Sequence, residues 1–372
     1  MSRIIMYILA LLVIVHGAIH LMGFVAYWPL AEMKELPYKT MLLVGRWDVG
    51  VSGMRVYSLL WLATAVLFIA AAIGLILRQE WWWPLMWAAV LLSLLVCILD
   101  WQNAFRGAII SGVILVVLFL LLGLRIQPAP LAAYPGRPET VETLPVPGDL
   151  PAPVARYYET VMGDEMPLIE TAVLSGRGTL RFNGITFPAQ FRLLHDVGHD
   201  YRQIFTATYF GRPLMTADET YIDGHAVLNT PVGVIENDPQ VDSAANLALW
   251  GLAMMMPSAY LTDSRVRWEA VDQQSARLII PDGAEEDNFT VTFDPDTGLI
   301  AGMDTMRYFD VQQGKKAWHL EGHEWQQVQG VLIPTKWTVT WLDEGSPWLV
   351  GTVEDVLYNV QVADTIRENL QN

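Results

Sequence analysis

Four apolar runs fill the first third of the chain, at residues 4–24, 56–77, 81–99 and 108–124. Each is nearly free of charged side chains and close to the roughly 20 residues that a helix needs to cross a bilayer. Four buried core helices of this kind would overwhelm a soluble domain of this length. The pattern therefore predicts a transmembrane bundle of four helical spans over residues 1–125, in contact with the lipid bilayer.

The second half of the chain alternates apolar and polar residues instead. The alternation is clearest at residues 187–193, 289–293 and 337–341. Because alternate residues of a strand share one face, it indicates strands with one buried and one solvated face. Asn183-Gly184 and Asp223-Gly224 lie between such runs and suit two-residue hairpins, since both positions tolerate positive φ. We expect about ten to twelve strands, mostly in sequential hairpins.

One helical segment, residues 239–256, interrupts the strands. Asp238 is a good N-cap, Pro239 suits the first helical position, and Pro257 ends the run. From Ala244 onward the segment is apolar almost all round, so most of its sides must be covered. A curved antiparallel sheet is the cover that we expect.

A proline-rich stretch separates the two patterns. Residues 125–153 carry eight of the 21 prolines, and proline removes a backbone donor and fixes φ. Such a stretch is typical of a semi-rigid extended spacer. The predicted organisation is therefore a transmembrane region at 1–125, a linker at 126–153 and a β domain at 154–372.

Charge divides the chain in the same way. The net charge is −16, but residues 1–125 hold eight basic and five acidic side chains, which leaves −19 for the rest of the chain. An acidic domain argues against nucleic acid as a partner, because phosphate binding needs a basic surface. The single cysteine, Cys97, excludes a disulfide framework and a thiolate metal cluster.

The basic residues around the four spans also bear on orientation. One side of the membrane would carry three of them and the other side five: Arg3, Arg78 and Arg125 against Lys34, Lys39, Arg46, Arg55 and Arg106. Because short cytoplasmic loops are rich in Lys and Arg, the loop at 25–55 is predicted to be cytoplasmic. We expect a multi-pass plasma (inner) membrane protein whose C-terminal domain is extracytoplasmic.

Several motifs resemble an uncharacterised, domain-of-unknown-function family of bacterial and archaeal membrane-associated domains. They are GDLPAPVARYYETVM, VRWEAVD with SARLIIP, FDPDTGLIAGMDTMRYF and GVLIPTKWTVTWL, and HGAIHLMGF and LDWQNAFRG are similar to the membrane part of some members. The resemblance covers roughly residues 145–362. It implies a mainly antiparallel β half-barrel with one or two helices in or across its concave face, similar to the lipoprotein carriers LolA and LolB.

His16 and His20 are four residues apart on one face of the first helix, inside the membrane. Paired histidines at this spacing are weak candidates for a metal or haem site. The alternative is hydrogen bonding between helices by neutral imidazoles, which we favour. No cofactor is predicted. Asp100 and Arg106 flank a short loop and are expected to form an ordinary interfacial ion pair.

His319, Glu321 and His323 share a strand face, but ligands four residues apart on a strand are about 13 Å apart and cannot reach one ion. A solvated polar face is therefore expected. The sequence at 294–298, DPDTG, lacks most ligands of a calcium loop and favours an Asx-type turn. The chain carries no nucleophile elbow, phosphate loop or zinc-protease motif, so an enzyme is the least supported interpretation.

Methionine and tryptophan side chains adapt to irregular apolar ligands, although they also fill cores. The candidate ligand-binding residues are Trp250, Met254, Met255, Met256, Trp337 and Trp341. The first hypothesis is a membrane-anchored module that binds or transfers a lipid or an acyl chain in its half-barrel. The alternative is a structural or partner-binding membrane protein whose sheet core is filled and whose surface meets another protein.

Overall fold

The computed structural model describes residues 3–137, 141–309 and 314–368. It divides into two compact units, Met1–Leu122 and Gly123–Asn372. The first unit is helical and the second is built on one large sheet.

Four helices form the first unit, and each is long and apolar enough to cross a membrane. They are α1 (Arg3–Tyr27), α2 (Gly50–Ile76), α3 (Trp82–Leu99) and α4 (Trp101–Gly123). A short pair of strands, β1 (Met41–Leu42) and β2 (Trp47–Asp48), lies in the connection between α1 and α2. The four long apolar helices predicted from the sequence are confirmed, although α4 begins at Trp101 and not at 108.

The chain reverses direction between α3 and α4 within one residue, Asp100. Ser93 Oγ and Ser111 Oγ lie 2.6 Å apart, whereas 18 residues of one continuous helix would separate them by about 27 Å. The buried Asp100 carboxylate accepts hydrogen bonds from Tyr27 and from Lys39. The predicted pairing of Asp100 with Arg106 is therefore wrong, because the loop between α1 and α2 brings Lys39 to this carboxylate.

The second unit opens with a small strand pair and a helix, namely β3 (Thr143–Pro145), α5 (Ala152–Val161) and β4 (Glu165–Pro167). Its first sheet strands are β5 (Thr171–Phe182), β6 (Ile185–Asp196), β7 (Asp200–Tyr209), β8 (Arg212–Ile222), β9 (His225–Thr230) and β10 (Gly233–Glu236). Two helices follow, α6 (Pro239–Leu252) and α7 (Ala259–Thr262).

The remaining strands and a last helix complete the unit. They are β11 (Arg267–Ala270), β12 (Ser275–Ile279), β13 (Phe289–Phe293), β14 (Ile300–Tyr308), β15 (Lys315–Val328), β16 (Val331–Trp341), β17 (Leu349–Tyr358) and α8 (Ala363–Arg367). The thirteen strands β5–β17 form one antiparallel sheet in the order β10-β9-β8-β7-β6-β5-β17-β16-β15-β14-β13-β12-β11. The sequence predicted fewer strands, because a strand as short as β10 shows too little alternation to be recognised.

The sheet curls around α6. This helix contacts β8 and β9 near one edge of the sheet and also contacts β14 towards the other edge. In a flat sheet β9 and β14 would be about 38 Å apart, at about 4.8 Å per strand. One helix can touch both only if the sheet bends into an open half-barrel, so the predicted fold class, four apolar helices plus an antiparallel half-barrel with a helix in its concave face, is confirmed.

Local sequence explains the elements that define this curved sheet. Asn183 and Gly184 have φ of 48° and 77°, and Asp223 and Gly224 have φ of 51° and 85°, as two-residue hairpins require. At the start of α6 the carboxylate of Asp238 accepts a hydrogen bond from the amide of Gln240. The α-helix ends at Leu252, and one 3₁₀ turn, Ala253–Met255, continues it. The predicted helix therefore exists with a tighter final turn.

The described part of the proline-rich stretch is packed against the second unit. Tyr134 is buried in an apolar cluster that includes Val173 and Leu194 of neighbouring strands. Its hydroxyl donates a 3.0 Å hydrogen bond to the carbonyl of Gln361, and Arg177 Nη1 donates to the carbonyl of Pro128 at 3.0 Å. Residues 128–134 thus belong to the packed domain, which the proline content alone did not reveal.

One buried titratable group makes the domain sensitive to acid. His195, in β6, is 0% exposed, and both of its ring nitrogens lack a hydrogen-bond partner among the described residues. Burial lowers the pKa of His195 from 6.5 to about 3. The imidazole is therefore neutral in the folded protein over a pH range in which the unfolded chain already binds a proton.

We expect stability to fall as the pH drops from 6.5 towards 3, since only the unfolded state is protonated there. The loss at pH 4.5 amounts to about 2.7 kcal/mol, at 1.36 kcal/mol for each pH unit. His195→Phe should remove this part of the acid sensitivity. The measurement is the difference in unfolding free energy between pH 7 and pH 4.5 for both proteins. Equal acid sensitivity in the two would contradict the prediction.

Candidate functional site

The concave face of the sheet holds a cavity. Several strands line it with alternate residues, which share one face, whereas β5 contributes the consecutive residues Leu180, Arg181 and Phe182 at its end. The lining includes Gln203 and Phe205 from β7, Met215, Ala217 and Glu219 from β8, Leu228 and Thr230 from β9, Trp318 and Leu320 from β15, and Trp337 and Val339 from β16. Ala248 and Leu252 of α6 form another part of its wall. The curl of the sheet therefore brings two distant groups of strands to one space.

The cavity has a volume of about 440 Å³, within the usual range for sites that hold small ligands. Most of its lining is aliphatic or aromatic. A space of this size with such walls suits an apolar molecule or the apolar chain of an amphiphile.

Arg307, in β14, places a guanidinium among these apolar walls. Its Cζ lies 4.9 Å from the centroid of the Trp318 ring, a cation–π arrangement. Its Nε donates a 3.1 Å hydrogen bond to the carbonyl of Ala244 in α6. Burial lowers the pKa of Arg307, and the Glu219 carboxylate opposes this effect. The group stays charged nonetheless, because a guanidinium is not deprotonated in proteins.

Two further polar side chains face the same cavity. Glu219 accepts a hydrogen bond from the hydroxyl of Tyr201. Gln203 is only 5% exposed, and its Nε2 has no hydrogen-bond partner among the described residues. The indole N–H groups of Trp318 and Trp337 are likewise buried without a described partner. The buried polar atoms of the lining that lack a described hydrogen-bond partner are therefore all N–H donors.

The structure separates the ligand-binding residues that the sequence proposed. Trp337 lines the apolar cavity. Met254, Met255 and Met256 are fully buried in the main core, and the described cavity wall does not include them. Their turn continues α6 into packed protein, where the Tyr358 hydroxyl donates to the carbonyl of Met255 at 2.6 Å.

The other two predicted tryptophans are buried and border different depressions. Trp250 lines a polar depression together with residues such as Asp242 and Arg265. Trp341 borders a shallow depression next to Arg307 and Trp348. The sequence predicted one ligand site for these tryptophans because they are all large and aromatic. In the folded domain they border different depressions.

In the helical unit, His16 and His20 each form a hydrogen bond to a serine of another helix. His16 Nε2 lies 3.0 Å from Ser111 Oγ, and His20 Nε2 lies 2.7 Å from Ser93 Oγ. This is the interhelical bonding that the sequence favoured over a metal or haem site. The described residues contain no group of three or more His, Cys, Asp or Glu side chains placed to hold a metal ion.

The other polar motifs of the sequence have structural partners. His319 Nδ1 lies 2.7 Å from Asp304 Oδ1, and this hydrogen bond raises the pKa of His319 against the lowering effect of burial. His323 Nε2 is 4.0 Å from Glu321. Asp294 Oδ1 accepts hydrogen bonds from the backbone of residues 296 and 297, which confirms the Asx-type turn.

Sequence reasoning missed the polar residues of the cavity. One signal was present, because Arg307 shares a strand face with Thr305, which is buried, and a charged residue at a buried strand position is uncommon. Gln203 and Glu219 carry no comparable signal, since polar residues are ordinary in strands that have a solvated face.

The fold and the cavity define a class of protein: an antiparallel half-barrel domain with an apolar cavity on its concave face, in a chain with four potential membrane helices. The chain belongs to a family of unknown function, DUF6544, whose model matches residues 140–351. The family resemblance predicted from the sequence is thereby confirmed.

Similar solved structures include a DUF1329 family protein from Desulfovibrio piger ATCC 29098, with 14% identity over 54% of this chain and 91% of that chain and a TM-score of 0.34. A LolA superfamily protein from Nitrosomonas europaea shows 10% identity over 55% of this chain and 91% of that chain, also with a TM-score of 0.34. A comparison with curated proteins finds no match. Similarity of this degree carries no argument about function, which rests on the cavity.

Proposed function

We propose that the second unit is a binding module for an apolar ligand, a lipid or an acyl chain, and that the four helices anchor it to a membrane. The observation that carries the proposal is the cavity of about 440 Å³ with predominantly apolar walls on the concave face of the half-barrel. Such walls offer water few hydrogen bonds, whereas burying an acyl chain there is favourable by roughly 0.8 kcal/mol for each methylene group.

The charge distribution supports an extracytoplasmic position for this domain, at the plasma (inner) membrane. Three basic residues flank the spans on the side of both termini and five on the other. A domain on that side could take an acyl chain from the bilayer surface and pass it to an acceptor. We therefore propose transfer of the chain in addition to its binding.

A substitution that fills the cavity should prevent the ligand from binding. Ala217 lies in β8 on the cavity wall, and Ala217→Trp would fill part of the space with an indole. The test uses the full chain in lipid nanodiscs with a diazirine-bearing fatty alcohol, followed by peptide mapping of the cross-links. We expect cross-links on β7–β9 and α6, reduced about tenfold or more by Ala217→Trp, because overpacking removes the space that the chain occupies.

The control is Ala301→Trp, the same change at an exposed position of β14. It should leave cross-linking unchanged. If the wild-type protein is labelled only on α1–α4, or if Ala217→Trp is labelled as strongly as wild type, the filled-core alternative replaces the binding proposal.

A further inference from the structure

The polar groups of the cavity narrow the class of ligand. We propose, building on the binding function above, that the cavity selects an acyl chain with an anionic oxygen head, a carboxylate or a phosphate, and that Arg307 and Gln203 bind this head.

The first argument is the incomplete pairing of Arg307. A guanidinium offers five N–H donors, and Nε uses one of them on the carbonyl of Ala244. Among the described residues Arg307 has no carboxylate within ion-pair distance; Glu219 in the same cavity acts on it only at longer range and accepts the Tyr201 hydroxyl. A charge in apolar surroundings is strongly disfavoured without a partner. The terminal nitrogens of Arg307 form no hydrogen bond to the described residues, and the side chain as a whole is only half-buried, so these donors are open to a ligand in the cavity.

The second argument is independent of charge. Gln203 is more than nine-tenths buried, lines the same cavity, and has an amide nitrogen without a described partner. A buried donor without a hydrogen-bond partner destabilises the folded protein. Both groups lack the same thing, a hydrogen-bond acceptor, and an anionic oxygen head supplies acceptors to both.

The third argument is the chemistry of the surrounding wall. The ring of Trp318 lies against the Arg307 guanidinium, and aliphatic residues such as Leu228, Leu252 and Leu320 continue the lining. A cation held on an aromatic ring beside an aliphatic space matches a molecule with one anionic end and one apolar chain. A neutral sterol-like molecule would leave the guanidinium without an anionic partner, and a polar metabolite would leave the aliphatic wall without an apolar partner.

Arg181 provides a matched control within the same lining. Its guanidinium is already paired, since Nη2 lies 2.5 Å from Glu344 Oε2 and also donates to the carbonyl of Ser346 at 2.9 Å. A substitution there removes a positive charge near the cavity without removing an unpaired donor.

The test compares three probes that share one diazirine-bearing chain and differ in the head, which is a carboxylic acid, a phosphate monoester or an alcohol. The full chain is reconstituted in phosphatidylcholine nanodiscs, and labelling of β7–β9 peptides is divided by labelling of α1–α4 peptides in the same sample. This ratio corrects for the different partitioning of the probes into the bilayer. Wild type should favour at least one anionic probe over the alcohol by about tenfold, as expected for hydrogen bonds to a charged group.

In Arg307→Gln the ratio of labelling by the anionic probe to labelling by the alcohol should fall close to one. Labelling by the alcohol itself should be unchanged, which shows that the domain is still folded. Arg307→Lys should keep most of the preference, Gln203→Leu should reduce it about threefold, and Arg181→Gln should leave it intact. If Arg307→Gln does not fold, Gln203→Leu carries the test. The anionic probe with the higher ratio identifies the head as carboxylate or phosphate.

The possible failures are distinguishable. If no probe labels the cavity strands of wild type, the binding function itself is overturned. If all three probes label them equally, the binding function stands and the anionic selectivity is overturned. An anionic preference that survives in both Arg307→Gln and Gln203→Leu would also overturn the assignment of these two residues.

Discussion

Met255→Lys is expected to unfold the half-barrel domain, with a loss of about 4 kcal/mol or more in unfolding free energy. Met255 is 0% exposed and belongs to the main core. The substitution would place an ammonium group there without a partner, which is among the most costly single changes in a protein. The measurement is thermal unfolding of the full chain, followed by tryptophan fluorescence.

The control for this substitution is Met306→Lys. Met306 is 39% exposed in β14, so its ammonium would stay in water and stability should change by no more than about 0.5 kcal/mol. The sequence alone allowed another outcome, in which Met255 touches a ligand and the lysine variant folds but no longer binds. A stable Met255→Lys protein would show that this end of α6 borders an open space after all.

Gly178→Ala should also be strongly destabilising, by about 3 kcal/mol. A Cβ on Gly178 would lie 1.8 Å from the carbonyl oxygen of Val350 in the neighbouring strand β17, far below any contact distance. Backbone atoms cannot rotate away as a side chain can, so β5 and β17 would have to separate. The observable is a lower unfolding temperature of the full chain.

The position of this clash gives it a functional consequence. In the thirteen-stranded sheet of the described chain, β5–β17 is the only neighbouring pair that is not consecutive in sequence. It joins the strands that carry Gln203 and Ala217 to those that carry Trp318 and Trp337, the two sides of the cavity. The control is Gly148→Ala, because a Cβ there meets no atom within 4 Å. Equal stability of the two variants would contradict the prediction.

Much of the fold was predictable because local chemistry determines it. Long uncharged runs have no other stable state than burial in lipid or in protein, so the four long apolar helices follow from composition. Hairpins at Asn183-Gly184 and Asp223-Gly224 follow from the tolerance of these residues for positive φ. The start of α6 follows from the capping carboxylate of Asp238. Each of these features involves residues that are near one another in the chain.

The candidate site was not predictable in the same way, because its residues meet only when the sheet curls. Gln203 in β7 and Arg307 in β14 share one cavity although many strands separate them in the sheet order. Periodicity shows which residues share a face of one strand, but it does not show how strongly the sheet bends or which part of the concave face α6 fills. Among the predicted residues, Trp337 lines the cavity and the three methionines fill the core beside it.

The sequence by itself therefore determined the division into four apolar helices and an acidic antiparallel β domain, since hydrophobic period and turn chemistry are local properties of the chain. Only the tertiary structure decided that α6 leaves part of the concave face open, that Lys39 rather than Arg106 pairs with Asp100, and that a guanidinium and an unpaired amide lie in that open space. These features depend on contacts between residues far apart in the chain, and such contacts are fixed only when the whole sheet and its helix are packed together.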